Sequence, residues 1–211
     1  DYCMVDTTLL RKCDEKLHCI DFHVALQQVC GVAFNSTHNV TRYFRGLVGR
    51  RTELKAPSSF NFERDDLQAA WVKPAIPGRH EGVALLDFAS LYPNIILSNN
   101  LCYTTKRDGP GEGILALGNG TYWDQTKKGL LPQVITYLFD YRAECKANAV
   151  DPDLTSAERG AWRTTEKAVK RVMASLYGMT AHTGFGWADA DIATTITSEG
   201  PIKTSNTSHS F

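Results

Sequence analysis

Asp87-Phe88-Ala89-Ser90-Leu91-Tyr92-Pro93-Asn94-Ile95-Ile96 is the stretch on which the reading of this chain turns. An apolar run, Val83-Ala84-Leu85-Leu86, leads into it with the pattern of a strand and delivers a carboxylate at its end. A turn then opens into a second apolar run behind a proline. A carboxylate at a strand end, with backbone amides just beyond it, can seat a divalent metal carrying phosphates. An isolated Asp-x-x-Ser is more often only a strand closed by an acidic cap.

Downstream, Tyr103 to Trp123 is rich in Gly and Thr, including Gly109-Pro110-Gly111 and Gly118-Asn119-Gly120, which predicts loops or a hairpin. Pro132 suits the first position of a helix whose one face carries Val134, Leu138, Tyr141 and Cys145. Arg142 and Lys146 fall one turn apart on an adjoining face. Asp151-Pro152-Asp153 breaks that helix, and Ser156 can cap a second one with Glu158 in its first turn. Trp162, Thr165, Val169, Val172, Met173 and Leu176 make its buried stripe, with Arg163, Lys167, Lys170 and Arg171 on the other side. Two helices joined by a short turn form an antiparallel pair. Such a pair lets Arg142 and Lys146 converge with Lys170, the arrangement a triphosphate needs as charge builds on it. The plainer reading of a cationic helix face is a solvated surface.

Upstream, Trp71 to Phe88 reads as two strands around a turn at Pro74, Pro77 and Gly78. Residues 35–66 are polar and basic, a connector with short helical pieces. Leu10, Cys13, Leu17, Ile20 and Val24 alternate spacings of three and four, a helical stripe that Gly31 ends.

Composition sets looser bounds. With 211 residues and 43% hydrophobic content the chain can hold one large domain or two small ones. Formal charge is zero, 23 basic against 23 acidic residues, which by itself neither favours nor excludes nucleic acid. Locally, Arg42, Arg45, Arg50, Arg51 and Lys55 face only Glu53, a net of +4, and 127–171 carries +3. Six cysteines lack any C-x-x-C pair, no secretory signal precedes them, and no apolar run approaches a membrane span. The expectation is an intracellular, non-secreted protein with reduced thiols and no membrane partner.

The ten residues from Asp87 resemble the first palm motif of family B DNA polymerases, D-x-x-S-L-Y-P-S-I-I, with only Asn94 departing. Lys170-Arg171-Val172-Met173-Ala174-Ser175-Leu176-Tyr177-Gly178 resembles that family's fingers motif K-x-x-x-N-S-x-Y-G, with Ala174 in place of Asn. Gly129-Leu130-Leu131-Pro132, followed by Arg142 and Lys146, resembles its upstream partner. Tyr2-Cys3-Met4-Val5-Asp6 has the Y-x-x-x-D form of the third proofreading exonuclease motif.

The resemblance implies roles. Asp87 would ligate two magnesium ions, with the Phe88 carbonyl as a lesser ligand, in two-metal transfer of dNTPs to a primer 3′ end. Amides near Leu91 and Tyr92 would hold phosphate oxygens, and the Tyr92 ring would leave no room for a ribose 2′-hydroxyl. Arg142, Lys146 and Lys170 would grip the triphosphate, while Tyr177 and Gly178 would sit beside the nascent base pair. In the exonuclease segment Asp6 would ligate a metal and Tyr2 orient the attacking water. Implied partners are primer-template DNA, dNTP and, in a parent protein, a processivity factor. Leu67-Gln68-Ala69-Ala70 occupies the place of a template-contacting motif but departs from it, and no role is assigned there.

The expected fold is α+β, a predominantly helical fragment with a small palm sheet and an antiparallel two-helix fingers hairpin. Its parts are the closing helix of a 3′–5′ exonuclease domain (1–31), a connector (32–66) and a partial palm (67–126). Fingers (127–180), the start of a return to the palm (181–200) and a polar tail (201–211) follow. The family's second carboxylate motif, Y-G-D-T-D, does not occur in the chain, and neither does a thumb. The ends read as those of a piece of something longer, which is expected to be inactive alone. The alternative is a non-catalytic nucleotide- or nucleic-acid-binding module that keeps palm and fingers. A third reading, helices that only assemble with a partner chain, requires Lys170→Ala to leave nucleotide binding unchanged.

Overall fold

The computed structural model describes residues 2–49, 74–84, 87–182 and 185–207, with backbone alone at 201–207. The polar and basic stretch 50–66, the Leu67–Ala70 segment and the end of the apolar run before Asp87 lie outside the described residues. The chain divides into two compact units. One holds the N-terminal helices together with residues 136–176, and the other holds the rest of the described chain.

In the first unit, α1 (Tyr2–Leu17) and α2 (Cys19–Cys30) occupy the span expected to be one long helix. His18 separates them in a left-handed conformation, φ 53°. Asp14 accepts the amide of Ile20 at 2.9 Å, a side-chain substitute for one bond lost at the break. Gly31 ends α2 as the sequence predicts, at φ 68° with its N–H on the Gln27 carbonyl. A short 3₁₀ turn (Phe34–Ser36) and α3 (Val40–Gly49) follow, so the connector does contain short helical pieces.

Among the N-terminal helices, the buried side chains belong to α2 and α3. Ala25, Leu26, Val29 and Cys30 meet Tyr43, Phe44, Leu47 and Val48, and burial of such side chains is the main gain of the pair. The helices come so close that a Cβ on Gly46 would stand 2.1 Å from the Cys30 carbonyl oxygen. The Tyr43 hydroxyl donates to the Thr37 carbonyl at 2.6 Å, which lets a phenol enter the core without an orphaned polar group. The stripe through α1 behaves differently: none of its residues is buried.

The second unit contains α4 (Leu91–Ser98), a three-stranded antiparallel sheet and α7 (Ala190–Thr207). The strands are β1 (Lys106–Arg107), β2 (Ile114–Ala116) and β3 (Tyr122–Asp124), ordered β1-β3-β2. Register pairs Lys106 with Trp123 and Ile114 with Asp124. The sheet therefore lies in the Gly- and Thr-rich segment. Among the described residues of 74–88 there is no strand, contrary to the expectation for Trp71–Phe88. Turn residues around a fully buried Trp123 suit a short antiparallel sheet at that place.

Asn100 joins this sheet to the next helix. Its amide donates to the carbonyls of Asp124 (2.6 Å) and Lys127 (2.8 Å), and its side-chain oxygen accepts the Gly129 amide at 2.9 Å. A Cβ on Gly129 would lie 2.6 Å from that of Cys102, so only glycine lets the chain pass there. Two polar links tie the sheet to α7. Asn119 donates to Thr195 at 2.7 Å, and the Lys106 ammonium reaches Asp189 (3.0 Å) and Asp191 (2.6 Å).

The hairpin helices are α5 (Leu130–Asn148) and α6 (Ser156–Thr180). Pro132 is the third residue of α5 rather than the first, still within the turn whose amides need no helical acceptor. Thr155, not Ser156, caps α6. Its hydroxyl accepts the Glu158 amide, and the Glu158 carboxylate accepts the Thr155 amide at 2.7 Å, a reciprocal capping box. The Thr155 hydroxyl, which donates to the Glu158 carboxylate at 2.6 Å, and then the Thr155 amide hold that carboxyl below its usual range. Val134, Leu138 and Cys145 on α5 and Val169, Val172, Met173 and Leu176 on α6 are buried as their spacing predicts, while Tyr141, Trp162 and Thr165 are half-buried.

Candidate nucleotide and DNA site

Asp87 lies in the second unit outside any helix or strand and is exposed, with Phe88 next to it also exposed. Ser90 then adopts a left-handed conformation, φ 54°, and the chain enters α4 at once. Leu91 and Tyr92 are thus the first two residues of the helix. Their amides have no intrahelical acceptor and carry the positive end of the helix dipole. Asn94, the departure from the family motif, donates from its side chain to the Ala89 carbonyl at 2.9 Å and closes the turn after Asp87. Ile95 and Ile96 bury the far side of α4, which packs on α7.

Two residues distant in sequence meet here. The Tyr92 and Tyr177 rings lie 4.8 Å apart between centroids, tilted by 46°. Burial, and then the neighbouring Tyr92, raise the Tyr177 phenol above its ordinary pKa. Gly200 backs the pair, its Cβ position 3.9 Å from the Tyr92 ring. Gly178 is exposed, and a Cβ there would meet no neighbouring atom of the described residues within 4 Å. Packing among the described residues does not require glycine at that position.

In the first unit, α5 and α6 place Arg142, Lys146 and Lys170. Lys146 and Lys170 are exposed. Arg142 is not a free cation: its Nε donates to Glu166 Oε1 at 2.7 Å, with the two side chains 20% and 19% exposed. Glu166 stands one turn before Lys170, a spacing that on the sequence alone suggests a pair within α6. It reaches across to α5 instead, and sequence reasoning did not single it out. The carboxylates of Glu144 and Glu166 add to burial in pushing the Cys145 thiol up to about 11. Ala174, where the family motif has Asn, is exposed on α6.

Tyr2 and Asp6 sit four residues apart on α1 and therefore on one face, both exposed. Among the described residues no three His, Cys, Asp or Glu side chains come together in a way that could hold a metal. Asp87 and the Phe88 carbonyl are hard oxygen donors, but they fill only part of one magnesium coordination sphere. Taken by themselves they do not fit a two-metal centre. None of the six cysteines is in a disulfide, and no helix among the described residues is long and apolar enough to cross a membrane.

The described residues are mostly helical with one small three-stranded antiparallel sheet, an α+β fold. A profile described as DNA polymerase family B matches residues 63–207, and the chain belongs to that family. The DNA polymerase delta catalytic subunit of Schizosaccharomyces pombe is 28% identical to it, over 94% of this chain and 20% of that protein. The Arabidopsis thaliana DNA polymerase delta catalytic subunit is 30% identical over the same shares. The structure of the family B DNA polymerase from the hyperthermophilic archaeon Pyrobaculum calidifontis matches 93% of this chain and 27% of that one. The TM-score is 0.72 and the identity 24%, so it shares the fold. The chain spans about a fifth of the length of the curated relatives it matches.

Proposed function

We propose that the chain supplies the nucleotide-binding part of a template-directed DNA polymerase that adds dNTPs to a primer 3′ end during replication. The observation that carries this reading is the Tyr92–Tyr177 pair, which joins the ends of two motifs far apart in sequence. A ring at Tyr92, held in place by Tyr177 and by Gly200 behind it, is suited to lie under a deoxyribose and to clash with a 2′-hydroxyl. The open space at Gly178 suits a base pair passing where a side chain would stand. Leu91 and Tyr92 offer amides to phosphate oxygens, and Arg142, Lys146 and Lys170 receive the triphosphate. Asp87, with the Phe88 carbonyl, contributes to magnesium binding, and Tyr2 and Asp6 belong to the exonuclease activity. DNA and a processivity factor are the partners, inside a cell.

Titration of the chain with dATP in magnesium tests the reading. Lys170→Ala is expected to weaken binding about tenfold, the worth of one charge-assisted contact. Tyr92→Ala is expected to narrow the preference for dATP over ATP. Equal affinity of wild type and Lys170→Ala would overturn the assignment. A second reading, a non-catalytic binding module, is favoured by the incomplete metal donor set around Asp87. Both readings require that this chain alone extend no primer. Magnesium-dependent extension by the purified chain would reject the proposed inactivity and the module together.

A further inference from the structure

We infer that Glu166 is a positioning residue that holds the Arg142 guanidinium with its terminal nitrogens presented to a triphosphate. The inference rests on the reading above that Arg142 receives the triphosphate.

The contact geometry is specific. Glu166 Oε1 takes the Nε edge of Arg142 at 2.7 Å, and this is the one polar contact of Arg142 among the described residues. A guanidinium has five N–H donors, so this bond spends one and leaves the Nη1 and Nη2 fork for other acceptors. A fork of this kind matches two phosphate oxygens. Both partners are about four-fifths buried, so the contact fixes the side-chain torsions more firmly than a surface pair does. An arginine already held in one rotamer loses less entropy when a ligand arrives.

Placement along the hairpin agrees. Lys146 follows Arg142 by one turn on α5, and Lys170 follows Glu166 by one turn on α6, each about 6 Å along its own helix. Because the chain reverses between α5 and α6, the two lysines fall on opposite sides of the Arg142–Glu166 contact. A triphosphate lying along this row meets a cation at each step, with the central one oriented by Glu166. The carboxylate partly offsets that positive charge. A carboxylate that only competed for Arg142 would do the same without directing the fork.

Calorimetric titration of the 211-residue chain with inorganic tripolyphosphate, and with dATP in magnesium, separates these roles. Arg142→Ala should weaken tripolyphosphate binding about tenfold. Glu166→Gln keeps an acceptor for Nε while removing the negative charge, and should bind as tightly as wild type or up to about threefold tighter. Glu166→Ala frees the arginine and should bind about threefold more weakly. Arg142→Lys tests the same point without touching Glu166. Its ammonium is drawn to the carboxylate and offers no planar fork, so it should bind more weakly than wild type, and adding Glu166→Gln should recover part of the loss. If both Glu166 variants bind tighter, the carboxylate is a competitor. If both match wild type, it only staples the helices. Either result overturns the inference while leaving the function standing. Failure of Arg142→Ala to weaken binding, or no binding by wild type, removes the functional reading and the inference with it.

Discussion

Asn100 concentrates more of the local order than any motif residue. It sits at φ 52° and spends both ends of its side chain on backbone groups of the segment leading into α5. Asn100→Gly should cost about 3 kcal/mol, roughly one for each lost hydrogen bond. Asn100→Ala should cost about 1 kcal/mol more, because an L side chain resists the left-handed region. Urea unfolding of the two variants checks both the total and the difference. Cys145 offers a second test at a single side chain. Burial, with Glu144 and Glu166 nearby, raises its thiol from the usual 9.0 to about 11, so the thiolate is scarce well above neutrality. Iodoacetamide at about pH 9 should label Cys3, Cys13 and Cys19, which are exposed, and spare Cys145. Labelling of Cys145 at a rate equal to theirs, read by peptide mass spectrometry, would contradict the shielded environment.

Between elements, the readable features were periodic or local. The α5 and α6 stripes, the Gly31 stop and the hairpin in the Gly- and Thr-rich segment follow from spacing and turn chemistry. The break at His18 does not, because a left-handed histidine leaves the apolar period of the surrounding helix unchanged. Strands were expected between Trp71 and Phe88, and the described residues of that span hold none, since an apolar run says nothing about whether a partner strand exists. The Tyr92 and Tyr177 positions were visible as motif letters, whereas their contact depends on how α4 and the end of α6 pack. Glu166 was legible only as a helix-surface acid, since its cross-helix reach is a matter of facing angle. The α6 cap, one residue earlier than expected, makes a direct prediction. Thr155→Ala should lower stability by about 1 kcal/mol in thermal unfolding, and Ser156→Ala should change it little. The reverse order would place the cap on Ser156 after all.

For the whole chain, the polar anchor between β1 and α7 sets an alkaline limit. Burial works to lower the Lys106 ammonium, but hydrogen bonds and charges from Asp191 and Asp189 outweigh it and leave its pKa raised. A group raised in the folded state stabilises fully below its unfolded value, near 10.5, and that contribution disappears as pH climbs through the higher folded value. Lys106→Met should therefore lower stability at neutral pH and flatten its decline above about pH 10.5 relative to wild type. Parallel alkaline limbs for the two proteins would show that the triad adds nothing. The chain belongs to DNA polymerase family B and spans about a fifth of the length of the curated relatives it matches. The helix α1 carries Met4 and Leu10 at 72% exposure and has no buried residue; among the described residues its own backbone bonds, the Thr7, Thr8 and Asp14 side-chain bonds and the Arg11–Glu15 pair sustain it. A sixteen-residue helix with no buried side chain is marginal in water. Its amides should lose protection against deuterium within seconds while those of α2 persist, and trypsin should cut first at Arg11, Lys12 or Lys16.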